Sequence, residues 1–165
     1  GVTWTQQPIE TSITKLDCPT EISGAYIGGG KIIAIGRKNH YVAGQPYVQF
    51  QMESSDYGMT WTKANTNIGD ISLSTPSLVY DSVSDILSLY YFERGAGKLK
   101  LRQVRASDIW GNPLNWPASR IVAFGSTNAQ DTGNVNAIAL DEKHIAVYYS
   151  GDATNTSIYA VIVYP

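Results

Sequence analysis

Short apolar runs, most of them alternating with period two, follow one another along this chain. Residues 31–37 (KIIAIGR), 47–53 (YVQFQME), 86–92 (ILSLYYF) and 98–104 (KLKLRQV) are rich in branched and aromatic side chains. Several switch between polar and apolar at each step, as a half-buried strand does. Gly28-Gly29-Gly30, Asp81 to Asp85 and Asp141-Glu142-Lys143 fall between the runs, where turns are needed. No stretch holds a convincing helical period. The pattern predicts an all-β chain of short antiparallel strands.

One turn stands out. Ser54-Ser55-Asp56-Tyr57-Gly58-Met59-Thr60-Trp61 reads S-x-D-x-G-x-T-W. Asp56 is placed to accept hydrogen bonds from turn N–H groups. Gly58 supplies a backbone conformation with positive φ that a Cβ resists. Thr60 suits the strand that follows, and Trp61 is large enough to fill a gap between two sheets. The motif resembles the Asp-box, or BNR repeat, of the sialidase-type β-propellers. There the box is a structural corner away from the active face, so the resemblance implies a fold rather than a chemistry.

Internal repeats agree with that fold. Trp4, Trp61 and Trp116 recur at intervals of 57 (4 to 61) and 55 (61 to 116) residues, each followed by a polar, strand-like piece. Propeller blades carry four strands in ~40–50 residues, so the interval is slightly long but compatible. The fold class is therefore a β-propeller of four-stranded antiparallel blades, about three of them in this chain. The expected parts are an outer strand at 1–9, a blade at 20–68, a blade at 75–124 and a three-stranded blade at 134–165. The strands of the first blade are expected near 22–27, 31–37, 47–53 and 60–66. Those of the second are expected near 76–80, 86–93, 98–105 and 116–124, with a degenerate corner at 106–116 that keeps Asp108 and Gly111. The third has strands near 135–140, 144–149 and 157–164. Gly1-Val2-Thr3-Trp4 matches the back half of the corner motif. The count suggests half of a six-bladed ring: either the sequence is a piece of a longer chain, or a second chain or a second copy supplies the rest; a closed three-bladed ring is a third option.

Composition changes little. The 165 residues carry a net charge of −2 with 16% charged residues, which gives no reason to expect nucleic acid or an anionic membrane as partner. No apolar run approaches the ~18 residues that span a bilayer. The single Cys18 excludes an internal disulfide. His40 and His144 lack companions at ligand spacing, so no metal and no cofactor is expected.

Candidate chemistry collects where inner strands begin and second strands end. In a propeller the loops after the second and fourth strands share one rim around the channel. Arg37 and Arg94 are separated by the same 57 residues as the first two tryptophans (37 to 94), which predicts equivalent places on that rim. A pair of guanidinium forks suits a carboxylate. Two solvated arginines at strand ends is the plain alternative. Glu21 starts a first strand beside Arg37, and His40, Tyr41, Glu93 and Asn134 lie on the same rim loops. The set resembles the sialidase constellation, in which arginines grip the sialic acid carboxylate and a Glu supports the nucleophile. The resemblance implies Glu21 as the catalytic residue, with Arg37, Arg94, His40, Tyr41, Glu93 and Asn134 binding an acidic carbohydrate. It departs from the family at residues 131–137, which hold no tyrosine nucleophile, and at Ser150, which stands where a third arginine would be. Phage endosialidases lack that tyrosine too, and the chain resembles them more, which implies a tailspike on a virion surface or a secreted protein. Three functions compete: a sialidase-type glycosidase, a non-catalytic glycan-binding module, and a scaffold with an inert rim.

Overall fold

A computed structural model describes residues 3, 5, 6, 8, 9, 18–38, 47–71 and 74–164. The N-terminal Trp4 repeat, His40 and Tyr41 lie outside them. Among the described residues, eleven strands form three antiparallel sheets, each built in chain order. The first holds β1 (Pro19–Gly28), β2 (Lys31–Lys38), β3 (Phe50–Ser54) and β4 (Thr62–Asn65). The second holds β5 (Ser77–Asp81), β6 (Ile86–Glu93), β7 (Lys98–Arg105) and β8 (Arg120–Phe124). The third holds β9 (Thr132–Leu140), β10 (Lys143–Gly151) and β11 (Thr156–Val163). The inner strands β1, β5 and β9 pack side by side, so the sheets stack as successive blades. This is the all-β blade architecture that the pattern predicts.

The second sheet is apolar on both faces, as a sheet between two others must be. Ile33 and Ile35 of the first sheet meet Leu78, Leu87, Leu89 and Tyr91 of the second, with Ile68, Ile71 and Trp116 closing the cluster. Alternate residues of the second sheet, Val79, Tyr90, Phe92, Leu99 and Leu101, pack on Val135, Ala137, Ala146, Tyr148 and Val163 of the third. Polar contacts pin both junctions. Ser23 Oγ accepts the N–H of Leu78 at 2.9 Å, and Ser77 Oγ accepts the N–H of Ala137 at 2.9 Å. Buried Gln51 accepts the Trp116 indole N–H at 2.8 Å and donates to the Ile109 carbonyl at 3.0 Å.

The Ser54–Trp61 turn is built as its residues suggest, with one correction. Asp56 accepts the Thr60 N–H at 2.9 Å and the Thr60 hydroxyl at 2.6 Å, and Ser54 donates to it at 2.8 Å. These bonds, the Thr60 hydroxyl first, hold the Asp56 carboxyl down at about 2. Gly58 has φ 88°. Trp61, however, does not fill a gap between sheets. It is half-buried and folds back on its own turn, its indole N–H donating to the Gly58 carbonyl at 2.9 Å. Among the described residues the buried inter-blade tryptophan is Trp116, 2% exposed.

The corner at 106–116 also differs from its expectation. It contains the one helical turn among the described residues, α1 (Ala106–Ile109). Asp108 does not serve as the turn acceptor. Asp85 takes that part, accepting the Ser107 N–H at 3.1 Å and hydroxyl at 2.7 Å, and Glu53 accepts the Gly111 N–H at 2.9 Å. The inserted residues give the chain room to close a local helical turn instead of a tight one.

Two predictions follow from this packing. Trp116→Ala opens a cavity between blades and loses the Gln51 bond, and should cost about 3–5 kcal/mol in denaturant unfolding. Trp61→Ala should cost clearly less, and equal losses would contradict the assignment. His144 is 3% exposed and bonded through Nδ1 to the Tyr90 hydroxyl at 2.8 Å. Burial lowers its pKa against the raising influence of Asp81. The unfolded chain therefore takes a proton that the native one refuses. Stability should fall as pH drops below about 6.5, and His144→Gln should flatten that limb in pH-dependent thermal melts.

Candidate functional site

The rim is set by where inner strands begin. Glu21 is an extra residue in β1: Thr20 pairs with Arg37 and Ile22 with Gly36, leaving Glu21 in a bulge. Its φ is 49°, left-handed for a residue with a side chain. Bulges of this kind re-aim a side chain. Here the bulge delivers the Glu21 carboxylate to Arg37 Nε in an ion pair. Asn134 occupies the corresponding place in β9, also at φ 49°, in the register shift between Val147 and Tyr149.

Arg94 joins the second of these positions. Its Nη2 donates to Asn134 Oδ1 at 3.1 Å and to the Tyr149 hydroxyl at 3.0 Å, and its guanidinium carbon lies 5.9 Å from the Tyr149 ring centre. The contact needs Gly133. A Cβ there would run into the Arg94 guanidinium, so the missing side chain is what lets Arg94 reach across to the third blade. Thr75, just ahead of β5, donates to Asn134 Oδ1 at 3.3 Å and links the two blades.

Four predicted residues are thus brought together in two pairs, Glu21 with Arg37 and Arg94 with Asn134. The arginines stand at the same end of their sheets but are not equivalent. Arg37 lies two residues beyond Ile35, the partner of Ser23, whereas Arg94 lies four beyond Tyr90, the partner of Ser77. The equal sequence interval hides this because it adds loop lengths to strand lengths. Among the described residues, each arginine keeps a buried nitrogen without a hydrogen-bond partner, Arg37 Nη1 and Arg94 Nε.

Glu93 goes elsewhere. It shares the face of Tyr91 and binds Lys100 Nζ at 2.7 Å. Lys100 and Arg102 also hold Asp70, at 2.8 and 2.9 Å, and the Tyr91 hydroxyl donates to the same carboxylate at 2.9 Å. Burial pushes the Asp70 carboxyl up, but the Lys100 bond and the Arg102 charge outweigh it and leave it below the usual range. This network fastens the loop between β4 and β5 to β7. Ser150, expected at the third blade's arginine position, lies three residues beyond Val147, the partner of Asn136, and so matches neither arginine; it is buried and accepts the Ser126 N–H at 2.7 Å. The sequence does not single out Tyr149, because the resemblance points to a nucleophile on β9 and Tyr149 lies on β10. Among the described residues no three His, Cys, Asp or Glu side chains group as metal ligands.

Comparison with known proteins places the fold. No family model and no curated protein matches the chain. A solved protein of unknown function from Dyadobacter fermentans superposes with a TM-score of 0.60 at 17% identity, over 86% of this chain and 36% of that one. A family 117 glycoside hydrolase from the marine bacterium Zobellia galactanivorans gives 0.60 at 12% identity, over 97% and 57%. A mutant of Trypanosoma rangeli sialidase displaying trans-sialidase activity gives 0.51 at 16% identity, over 81% and 21%. The chain spans between about a fifth and somewhat over half of these proteins, and at such identities the likeness is one of fold: blades of the β-propeller type found in glycosidases.

Proposed function

We propose that this rim binds a carboxylate-bearing glycan and that the protein is a glycosidase of the sialidase kind. The observation that carries the reading is the pair of buried, unpartnered guanidinium nitrogens, Arg37 Nη1 and Arg94 Nε, on one rim. A buried N–H of a charged group without an acceptor is expensive to leave so, and a small swing of either guanidinium toward a ligand carboxylate would give it the acceptor that the described residues do not. Glu21, ion-paired with Arg37, is the carboxylate this reading assigns to the anomeric centre, acting directly or through water. β9 carries no tyrosine, so the reading takes the endosialidase form of a viral tailspike rather than that of a sialidase with an inner-strand tyrosine.

A second reading is a non-catalytic glycan-binding module. One observation favours it: glycosidases work with two carboxylates flanking the bond, and Glu93, the other predicted rim acid, is committed to Lys100. The two readings share the arginine grip and differ in Glu21.

Arg37→Ala or Arg94→Ala should weaken binding of sialylated glycans about ten- to a hundredfold, since a charge-assisted bond is worth roughly 1.5–3 kcal/mol. Lysine should rescue only in part, because it lacks the planar fork. Titration on a glycan array checks this, and unchanged affinity in both variants would sink the site. Glu21→Gln should abolish release of sialic acid from polysialic acid while binding survives. A native chain that binds without cleaving selects the second reading. Gly133→Ala should mimic the loss of Arg94 without touching a charge, because the new methyl occupies the guanidinium's path; a Gly133→Ala protein with full affinity would contradict the geometry described for Arg94.

A further inference from the structure

The side chains gathered at the start of β9 use their acceptors on one another and keep their donors. A guanidinium carries five N–H groups and no acceptor. Arg94 uses two of them, both on Nη2, toward Asn134 Oδ1 at 3.1 Å and the Tyr149 hydroxyl at 3.0 Å. Nη1 and the buried Nε bond to none of the described residues. Because arginine only donates, the Asn134 atom that faces it is the oxygen, and Thr75 donates to the same oxygen at 3.3 Å. The two N–H groups of the Asn134 amide are therefore turned away from Arg94. The Tyr149 oxygen likewise receives an Nη2 proton, so its own hydrogen points elsewhere, and no described residue accepts it.

Charge singles out the same place. Arg37 holds Glu21 and Arg102 holds Asp70, each a carboxylate. Among the described residues Arg94 has only neutral partners, Asn134 and Tyr149. A guanidinium partly withdrawn from water without an anion beside it is costly. The backbone is shaped to hold it there all the same. Gly133 and Asn134 are consecutive residues at φ 137° and 49°, and the Cβ that Gly133 lacks would collide with the Arg94 guanidinium. What is left is a local charge of +1 surrounded by free donors on three side chains. A sugar hydroxyl would accept one of those bonds and leave the charge unmet. A carboxylate accepts several at once and cancels it.

We infer that Arg94, Asn134 and Tyr149 form one carboxylate subsite, in which the Tyr149 O–H and the Asn134 amide N–H groups donate beside the guanidinium. The inference rests on the reading of the rim as a glycan site. It adds which of the two arginines takes the ligand's charge and which neutral side chains complete the grip. Tyr149 is the residue that the subsite gains, a specificity-determining donor from the second strand of the third blade. The Glu21–Arg37 pair is neutral as a whole and carries an acceptor of its own, so it meets the uncharged part of the sugar. The two ends of the rim thus differ in kind, and a bound acidic sugar has a fixed direction across them.

NMR titration of the 165-residue chain tests the subsite, following arginine Nε–H and tyrosine ring signals, with acetate in one series and sialyllactose in another. Loss of a signal in Arg94→Lys assigns Arg94. Acetate should move Arg94 and Tyr149 along one saturable curve, and Arg37 less. Tyr149→Phe keeps the ring against the guanidinium and removes only the donor, and should weaken acetate about three- to tenfold. Asn134→Asp keeps a residue that tolerates left-handed backbone but sets a carboxylate against Arg94, and should weaken acetate by more than about tenfold. Should that variant not fold, Tyr149→Phe carries the test. An Arg94 signal that acetate leaves in place, a larger response at Arg37, or native affinity in Tyr149→Phe would each overturn the subsite. The sialyllactose series separates the two claims. A chain that binds acetate at Arg94 and no sialyllactose upholds the subsite and sinks the glycan reading. Sialyllactose binding with Arg94 unmoved sinks the subsite and upholds the reading.

Discussion

A serine hydroxyl on one inner strand meeting the N–H of the next is the contact on which the rest of this molecule is set. Neither face of a four-stranded sheet of this composition can be left in water, so the sheets must stack. Apolar burial supplies most of the drive but has no direction and fixes no register. The Ser23–Leu78 and Ser77–Ala137 bonds supply both. They bring the starts of β1, β5 and β9 to one level, and the ends of β2 and β6 follow from antiparallel pairing. Glu21, Arg37, Thr75, Arg94 and Asn134 share a rim for that reason.

Around this contact the junction between the first two sheets is held by polar groups that are buried but satisfied. Gln51 serves Trp116 and Ile109, and Asp70 gathers Tyr91, Lys100 and Arg102. Such networks cost little when every member has a partner and a great deal when one is removed. The two rim arginines are the exception, each keeping one buried nitrogen unpaired. The contrast between a satisfied network and an unsatisfied pair on the same molecule separates the glue from the proposed site. It also explains why Glu93, one residue from Arg94 in sequence, belongs to the glue: alternate residues of a strand face opposite ways.

The proposed site depends on local departures from regular strand. Glu21 and Asn134 reach the rim through bulges with left-handed backbone, and Arg94 reaches Asn134 and Tyr149 because Gly133 has no side chain. Strain of this kind persists only where surrounding structure enforces it and gathers at functional positions. The two bulges lie at corresponding places in the first and third sheets, which makes them a property of the repeat rather than of one loop.

What the sequence by itself determined is the strand order, most strand boundaries and the bonding of the Ser54–Trp61 turn. Those follow from local rules: period-two alternation, turn residues, a carboxylate within reach of its own turn's N–H groups. The pairing of Glu21 with Arg37 was legible as well, because adjacent antiparallel strands fix their neighbours. Other features were decided only in three dimensions. Trp116, not Trp61, became the wedge between blades, since burial depends on which sheet covers a side chain and not on its motif. The corner at 106–116 closed as a helical turn under Asp85, a residue outside the motif. Arg94 stands two residues away from the register of Arg37 and finds Tyr149 on another blade. Sequence spacing counts residues along the chain. A bulge, a loop of different length or an absent Cβ changes where a side chain arrives without changing that count.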